Sequence, residues 1–385
     1  MLRKEQNDLL TQTGPGTPMG QMFRLSWQPA LLAEELPEPG CPPVRVKLLS
    51  ERLLAWRDPN NKLALTDEFC AHRGVSLWFG RNEDGGLRCP YHGWKYDHTG
   101  QCIEVPSEPS ESGYCQKIKL KSYPLVERGG VLWTYMGPPD KMPVLPKFDC
   151  LEPLEEGEVY WTSDTALNAH GDLNGPEIVN YSWLHMNDNV MDPFHVQVLH
   201  TTFSGTQFVR EFAVMPKVDF QPIEEGVIYK AYRRFEDGRE MDRISTWMAP
   251  NAMSVPSIMM TPGRSDMMSW SVPVDDTHTR FLMVMRTKPG VNIMDGSGLA
   301  AQKPWSQMTV EERQDRPGDY EAQAGQGEIS LHSEEHLVTS DRGIVMQRRM
   351  LERDIKAVMD GHDPTGVIFD PAQDMVHVPS GNFYR

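Results

Sequence analysis

Hydrophobic and polar positions follow two different patterns along the chain. From Trp27 onward, short apolar runs such as Val44-Arg45-Val46-Lys47-Leu48-Leu49 and Leu53-Leu54-Ala55-Trp56 are cut repeatedly by Pro and Gly. Short β-branched runs bounded by turn formers predict antiparallel strands. Gly129 to Pro139 reads as a buried strand ended by a turn. Ahead of these strands a short helix is predicted at the N-terminus. Thr13-Gly14-Pro15-Gly16-Thr17-Pro18-Met19-Gly20 predicts a loop into the first domain, since it lacks the Gly-Lys-Ser/Thr ending of a phosphate loop.

Pro138 to Pro146 reads as a proline-rich linker, which places a domain boundary near residue 150: 1–150 and 151–385. Beyond it the pattern changes. Trp183, Leu184, Met186, Val190, Met191 and Phe194 suit a mostly buried helix. Val227 to Tyr232 and Arg280 to Met285 read as strands of an antiparallel sheet that roofs a pocket. The methionines among them (Met241, Met248, Met253, Met259, Met260, Met267, Met268) suit core packing or the walls of a pocket for a flat apolar ligand. Residues 291–328, rich in Gly, Gln and acids, suit an entrance loop. Ile344, Val345, Met350, Leu351, Ile355, Val358 and Met359 have helical spacing, ended by Gly361 and Pro364. The expected fold class is α+β: an N-terminal all-β domain, then a domain with an antiparallel sheet flanked by helices.

At 385 residues the chain can bury two cores. Its net charge of −16 argues against nucleic acid or an anionic membrane as partner. No apolar run approaches the roughly 20 residues of a membrane helix. Met1-Leu2-Arg3-Lys4-Glu5-Gln6 lacks the apolar core of an export signal, so a cytoplasmic location is expected. In that reducing setting Cys41, Cys102, Cys115 and Cys150 are expected to be free thiols.

The stretch Cys70-Ala71-His72-Arg73-Gly74 … Cys89-Pro90-Tyr91-His92-Gly93-Trp94 places one Cys and one His on each of two Gly- and Pro-bounded loops. A structural zinc usually takes its thiolates from one knuckle and its imidazoles from another segment. Here each loop contributes one of each, which suits a [2Fe–2S] cluster with Cys70 and Cys89 on one iron and His72 and His92 on the other. A zinc site, or a coincidence that holds no metal, is the alternative. The pattern resembles the Rieske signature at every ligand and at the supporting Arg, Gly and Pro positions. Between residues 70 and 125, seven Lys/Arg stand against six Asp/Glu, a local balance of +1. That balance is either chance or a docking surface, involving Arg88 and Lys95, for an acidic electron donor.

The second informative segment is Asp188-Asn189-Val190-Met191-Asp192-Pro193-Phe194-His195, followed by His200. Asp192 and His195 face one side of a helix, about 60° apart, whereas His195 and His200 would be about 140° apart on a straight one. The two histidines meet only if the helix ends or distorts between them. Two imidazoles and one carboxylate on one face of an iron leave positions open for oxygen.

This segment resembles the catalytic motif of Rieske non-haem iron oxygenases. With the cluster motif and Gly14-Pro15-Gly16-Thr17-Pro18, the similarity covers most of the chain, nearest to the phthalate dioxygenase type of ring hydroxylases and O-demethylases. The resemblance implies His195 and His200 as ligands of a mononuclear Fe(II). It implies Asp192 as a bridging carboxylate between His195 and the His92 of a neighbouring subunit. It implies Asp319 as third ligand, in Gly318-Asp319-Tyr320-Glu321-Ala322-Gln323, although Gly318 replaces the family's acid and Ala324-Gly325 its Glu-Ser. Glu321 and Asp341 remain alternatives.

By the same resemblance the chain is a terminal oxygenase component, a homotrimer that uses O2 and electrons from NAD(P)H to hydroxylate a small, carboxylated aromatic substrate. No dinucleotide fingerprint is evident, so those electrons come through a separate reductase or ferredoxin. Oxidative O- or N-demethylation is the alternative within the family. A Rieske electron carrier without an oxygenase site is the alternative outside it. Arg210, Arg233, Arg234, Arg243, Arg280 and Arg286 are candidates for holding a substrate carboxylate.

Overall fold

The computed structural model describes residues 4–164, 175–291 and 295–385. The interrupted apolar runs of the first half form three small antiparallel sheets. Val44–Leu48, Glu51–Arg57, Leu63–Asp67 and Ser122–Tyr123 make one, in that order. Gln28–Leu32, Val131–Thr134 and Leu125–Arg128 make the second. The third is built from very short strands, Arg81–Glu83, Gly86–Arg88, Lys95–Tyr96 and Cys102–Glu104. Leu54, Trp56, Leu77, Leu87, Trp94 and Tyr96 pack with Cys70 and Cys89 into a core of their own.

The second half is organised on a ten-stranded antiparallel sheet. Its long members, Gly226–Arg234, Glu240–Met248, Met267–Asp275 and His278–Thr287, include the two runs read as strands from sequence. Helices Trp183–Val190 and Arg342–Met359 pack on this sheet. Gly343 is required by the closeness of the second helix: a Cβ there would lie 2.4 Å from the ring of Phe220. Of the seven methionines singled out from sequence, Met241, Met248, Met253, Met260 and Met268 are core residues. The segment from 295 to 328 carries the short helices Val310–Asp315 and Asp319–Ala324, where an entrance loop was expected; residues 292–294 lie outside the described residues. No helix among the described residues is long and apolar enough to cross a membrane.

The N-terminus departs from the sequence reading. Lys4–Thr11 is helical as expected, but Pro18–Arg24 is a second helix where a loop was predicted. Thr17 caps it, its hydroxyl accepting from Gly20 N, and Pro18 opens the first turn. Both helices pack onto the second half of the chain. Phe23 meets Trp183 edge-on at 4.9 Å, and Trp183 Nε1 donates to Leu10 O at 3.2 Å. The largest core also crosses residue 150. Trp133 packs edge-on against Trp270 at 4.9 Å, and Lys147–Phe148 pairs with Met375–Val376.

Candidate active site

The two Cys/His loops are the same turn used twice. Gly74 N donates to Cys70 O at 2.9 Å, and Gly93 N donates to Cys89 O at 3.1 Å. Cys70 N then donates to Val75 O, and Cys89 N to Trp94 O. Each turn closes through a glycine at positive φ, +70° at Gly74 and +75° at Gly93, where a side chain would be strained. This places Cys70 and Cys89 inside the apolar core and leaves His72 and His92 exposed. The two imidazole rings lie 4.5 Å apart, and His72 stacks on Trp94 at 4.6 Å.

Burial pushes the Cys89 thiol up, and the N–H groups of Tyr91 and His92 aimed at its sulfur oppose this. The Tyr96 hydroxyl lies 3.2 Å from Cys70 Sγ and accepts from Ala71 N. Burial pushes the Tyr96 hydroxyl up, and a Cys70 thiolate, which can only accept, would take its O–H. Loss of solvation, then the neighbouring His72 and Arg73, keep the His92 imidazole below its ordinary pKa. Two sulfurs supplied with hydrogen-bond donors and two imidazoles side by side fit a cluster with mixed ligands. One tetrahedral zinc would draw four donor atoms to within roughly 4 Å of each other. Among the described residues, the His/Cys/Asp/Glu group with donor atoms within 4.8 Å is elsewhere, and these four residues do not form one.

That other group is His195, His200 and Asp319. The helix does distort between the histidines. Trp183–Val190 ends before Asp192-Pro193, a single turn resumes at His195–Gln197, and Val198–Phe203 is a π-helix that widens the turn. Both Nε2 atoms consequently face one carboxylate oxygen: Asp319 Oδ1 is 3.7 Å from His195 and 3.2 Å from His200. Both Nδ1 atoms are occupied on the far side. His195 Nδ1 donates to the Asp192 carbonyl at 2.5 Å, and His200 Nδ1 to Gln207 Oε1 at 2.6 Å. Asn189 Nδ2 donates to Asp319 Oδ1 at 3.1 Å.

Burial alone would raise the Asp319 carboxyl. His200, His195 and Asn189 outweigh it and hold the carboxyl well below the usual range. The Asp192 carboxylate is likewise brought down by His195 against the effect of burial. Its Oδ2 lies 3.7 Å from His195 Nδ1, so the main-chain carbonyl makes the close hydrogen bond. Its Oδ1 accepts from Phe194 N. Two imidazole nitrogens and one carboxylate oxygen facing a common point fit a mononuclear iron with open positions.

The other two acids proposed from sequence are used differently. Glu321 caps its own helix, accepting from Gly318 N at 2.9 Å and from Trp305 Nε1 at 2.7 Å. Gly318, the departure from the family pattern, is the N-cap of that helix. Asp341 accepts from Val338 N at the start of the long helix.

A cavity of about 380 Å³ opens onto His195, His200 and Asp319. Its walls are largely apolar and include Phe208, Phe212, Phe281, Met267 and Met283. Arg243 projects into it from strand Glu240–Met248 and is 4% exposed. Its Nη atoms donate to Ser257 O, Pro256 O and Asn382 Oδ1, and no carboxylate among the described residues pairs with it. Arg233, also buried, lies with Arg243 against the ring of Phe212, at 5.3 and 5.2 Å. Burial, then repulsion from Arg243, pushes Arg233 down to about 10.

Residues 26–124 match the family model described as the Rieske [2Fe-2S] domain. Over 97% of its length the chain is 41% identical to the phenoxybenzoate dioxygenase subunit alpha of Ectopseudomonas oleovorans, covering 91% of that protein. The chain belongs to the Rieske non-haem iron oxygenases. It is 33% identical to the 5,5'-dehydrodivanillate O-demethylase oxygenase subunit of a Sphingobium species, over 97% of this chain and 85% of that one. The fold matches the terminal oxygenase of carbazole 1,9a-dioxygenase from Nocardioides aromaticivorans IC177, with a TM-score of 0.62 at 18% identity, covering 92% of this chain and 98% of that one. This oxygenase is therefore an oxidoreductase of the terminal-oxygenase type, a class that takes electrons from a separate reductase or ferredoxin.

Tyr96 and Gln207 carry no motif of their own and were not legible in the sequence, and Arg243 was one of six arginines with nothing to single it out. The docking expectation for Arg88 and Lys95 changes. Arg88 is bonded to Glu83 and Glu104 and holds Gly93 O at 2.8 Å, while Lys95 reaches Asp84 O and lies 3.8 Å from Glu83. Their charge is met by acids of the same sheet, and Arg88 braces the turn that carries Cys89.

Proposed function

We propose that this oxygenase oxidises an aromatic carboxylate held over the mononuclear iron site by Arg243. The carrying observation is a buried guanidinium, without a carboxylate partner among the described residues, in the wall of an apolar cavity that opens on the triad. An uncompensated buried cation is costly, and a ligand carboxylate removes that cost while its rings fill the apolar walls. The named substrate of the phenoxybenzoate relative is a ring-bearing acid of this kind.

In this reading Cys70 and Cys89 hold one iron of the cluster and His72 and His92 the other, while His195, His200 and Asp319 hold the mononuclear Fe(II). When bound, these groups supply one-electron transfer and activation of O2. The protein's own work is to orient. The Asp192 carbonyl and Gln207 keep the Nδ1 protons in place, so that both Nε2 lone pairs face the metal position. Asn189 keeps Asp319 turned toward them. The aromatic and methionine walls exclude water from the reacting face.

Asp192 bridges to His92 of a neighbouring copy in a homotrimer. Two exposed apolar groups support such an assembly, Phe79 and Tyr91 by the cluster loops and Val198 and Phe203 on the iron-site helix. We assign residues 1–150 to the cluster domain and 151–385 to the catalytic domain, working in the cytoplasm.

The test is Arg243→Met, with binding and turnover measured for an aromatic acid and its neutral amide. The variant is expected to lose roughly 100-fold in KM for the acid, about 3 kcal/mol, with little change for the amide. Equal loss for both, or none for the acid, would remove Arg243 from the reading. Product mass under labelled O2 separates ring hydroxylation from loss of a methyl group.

A further inference from the structure

We propose that Gln207 is a positioning residue that sets the tautomer of His200, with its own amide turned the right way by the carbonyl of Pro317. The inference rests on the reading of His200 as an iron ligand.

Gln207 is 2% exposed and lies just past the π-helix that carries His200. Its main chain is pinned on both sides: Gln207 N donates to His200 O at 2.9 Å, and Leu299 N donates to Gln207 O at 2.8 Å. Its side chain has two polar ends with different neighbours. One lies 2.6 Å from His200 Nδ1 and the other 3.3 Å from Pro317 O. A carbonyl oxygen can only accept, so the end facing Pro317 must be the amide N–H. The end facing His200 is then the amide oxygen, which also can only accept. His200 Nδ1 must carry its proton, and Nε2 is the nitrogen left to bind a metal. Ser204 Oγ donates to the same Pro317 carbonyl at 2.7 Å and holds that oxygen in place.

A flipped amide would set its oxygen against Pro317 O and lose that bond, while its N–H would meet His200 Nδ1 as an acceptor and impose the other tautomer. Pro317 stands two residues before Asp319, so the same side chain ties the imidazole ligand to the segment bearing the carboxylate ligand. For His195 the matching task is done by the main-chain carbonyl of Asp192. One ligand is thus oriented by backbone and the other by a side chain, and the second is the one a mutation can reach.

The experiment uses the full-length protein with its cluster in place. It measures Fe(II) affinity of the mononuclear site by chelator competition, and the electron-spin signal of its nitric oxide adduct. Gln207→Met keeps length and packing but removes both polar ends. Gln207→Glu keeps an acceptor for His200 and removes the donor to Pro317. Gln207→Met is expected to weaken Fe(II) binding roughly 10- to 100-fold and broaden the adduct signal, while the visible spectrum of the cluster is unchanged. Gln207→Glu is expected to stay within a few-fold of the parent. Unchanged affinity in Gln207→Met would overturn the proposal. Equal loss in both variants would also overturn it, since the role would then be to hold Pro317. Failure of the parent protein to bind Fe(II) at this site would instead sink the ligand reading itself.

Discussion

The amide of Asn189 donates to Oδ1 of Asp319 across 3.1 Å, and the same oxygen faces the Nε2 atoms of both histidines. Asn189 thus holds the carboxylate from the helix side while a metal would draw on it from the cavity side. Its neighbour Asp188 anchors that helix through a buried pairing with Arg348. Asn189→Ala should therefore loosen the carboxylate without disturbing the helix. Fe(II) affinity is expected to fall about 10-fold, with cluster absorption unchanged. Metal analysis after dialysis against a weak chelator checks this, and full iron retention would count against it.

The hydroxyl of Tyr96 offers a separate handle on the other centre. With Cys70 as a thiolate ligand of the cluster, the hydroxyl 3.2 Å away can only donate to Sγ, and that bond strengthens when the cluster gains an electron and its sulfurs become more negative. Tyr96→Phe should lower the reduction potential. A charge-assisted bond of about 1.5 kcal/mol corresponds to roughly 65 mV for one electron. Protein-film voltammetry would show the shift; a potential that rose or stayed put would mean the hydroxyl is directed elsewhere.

Asn187 tests how the catalytic helix is seated. Its amide donates to Trp183 O and to Ser271 Oγ, and its Oδ1 accepts from Trp247 Nε1 at 2.7 Å, all fully buried. Asn187→Leu would strand the indole N–H and the Trp183 region together, at a cost of about 2–4 kcal/mol. Tm is expected to drop by several degrees. Iron affinity should fall as well, because Asn189 lies on the same helix. A Tm loss with no change in iron binding would separate the two roles.

What could be read from sequence was what depends on local spacing. The two Cys-x-His loops carry their own glycines, and Gly74 and Gly93 close identical turns, so one motif specifies a geometry. The His195/His200 pair could be recognised, and so could the need for a distorted helix between them, because 3.6 residues per turn cannot align positions five apart. The long helix after Asp341 followed from its apolar stripe. The helix at Pro18–Arg24 was hidden by Gly14 and Gly16, although Thr17-Pro18 is a start signal that an order-sensitive reading would use. Arg243, Tyr96 and Gln207 were illegible for a different reason. Each matters through partners far away in sequence, such as Asn382, Cys70 and Pro317, and single-chain spacing holds no trace of those contacts.

The last prediction concerns pH. His185 and His332 are buried near Arg348, and loss of solvation, more than that neighbouring cation, pushes each down to about 4 from an ordinary 6.5. Unfolding returns both to water and to the ordinary value. Between about pH 6.5 and 4 the unfolded chain binds more protons than the folded one, so stability falls as pH falls through that window and levels off below it. The full shift sets an upper bound of about 3 kcal/mol for each histidine. Asp188, which burial holds above its ordinary value, works in the opposite sense at the acid end of the window. Thermal melting of the parent should show Tm declining from pH 6.5 toward 4, and His332→Gln should flatten the decline by a measurable fraction. A variant whose Tm falls in parallel with the parent would show that His332 is not buried as the neutral imidazole.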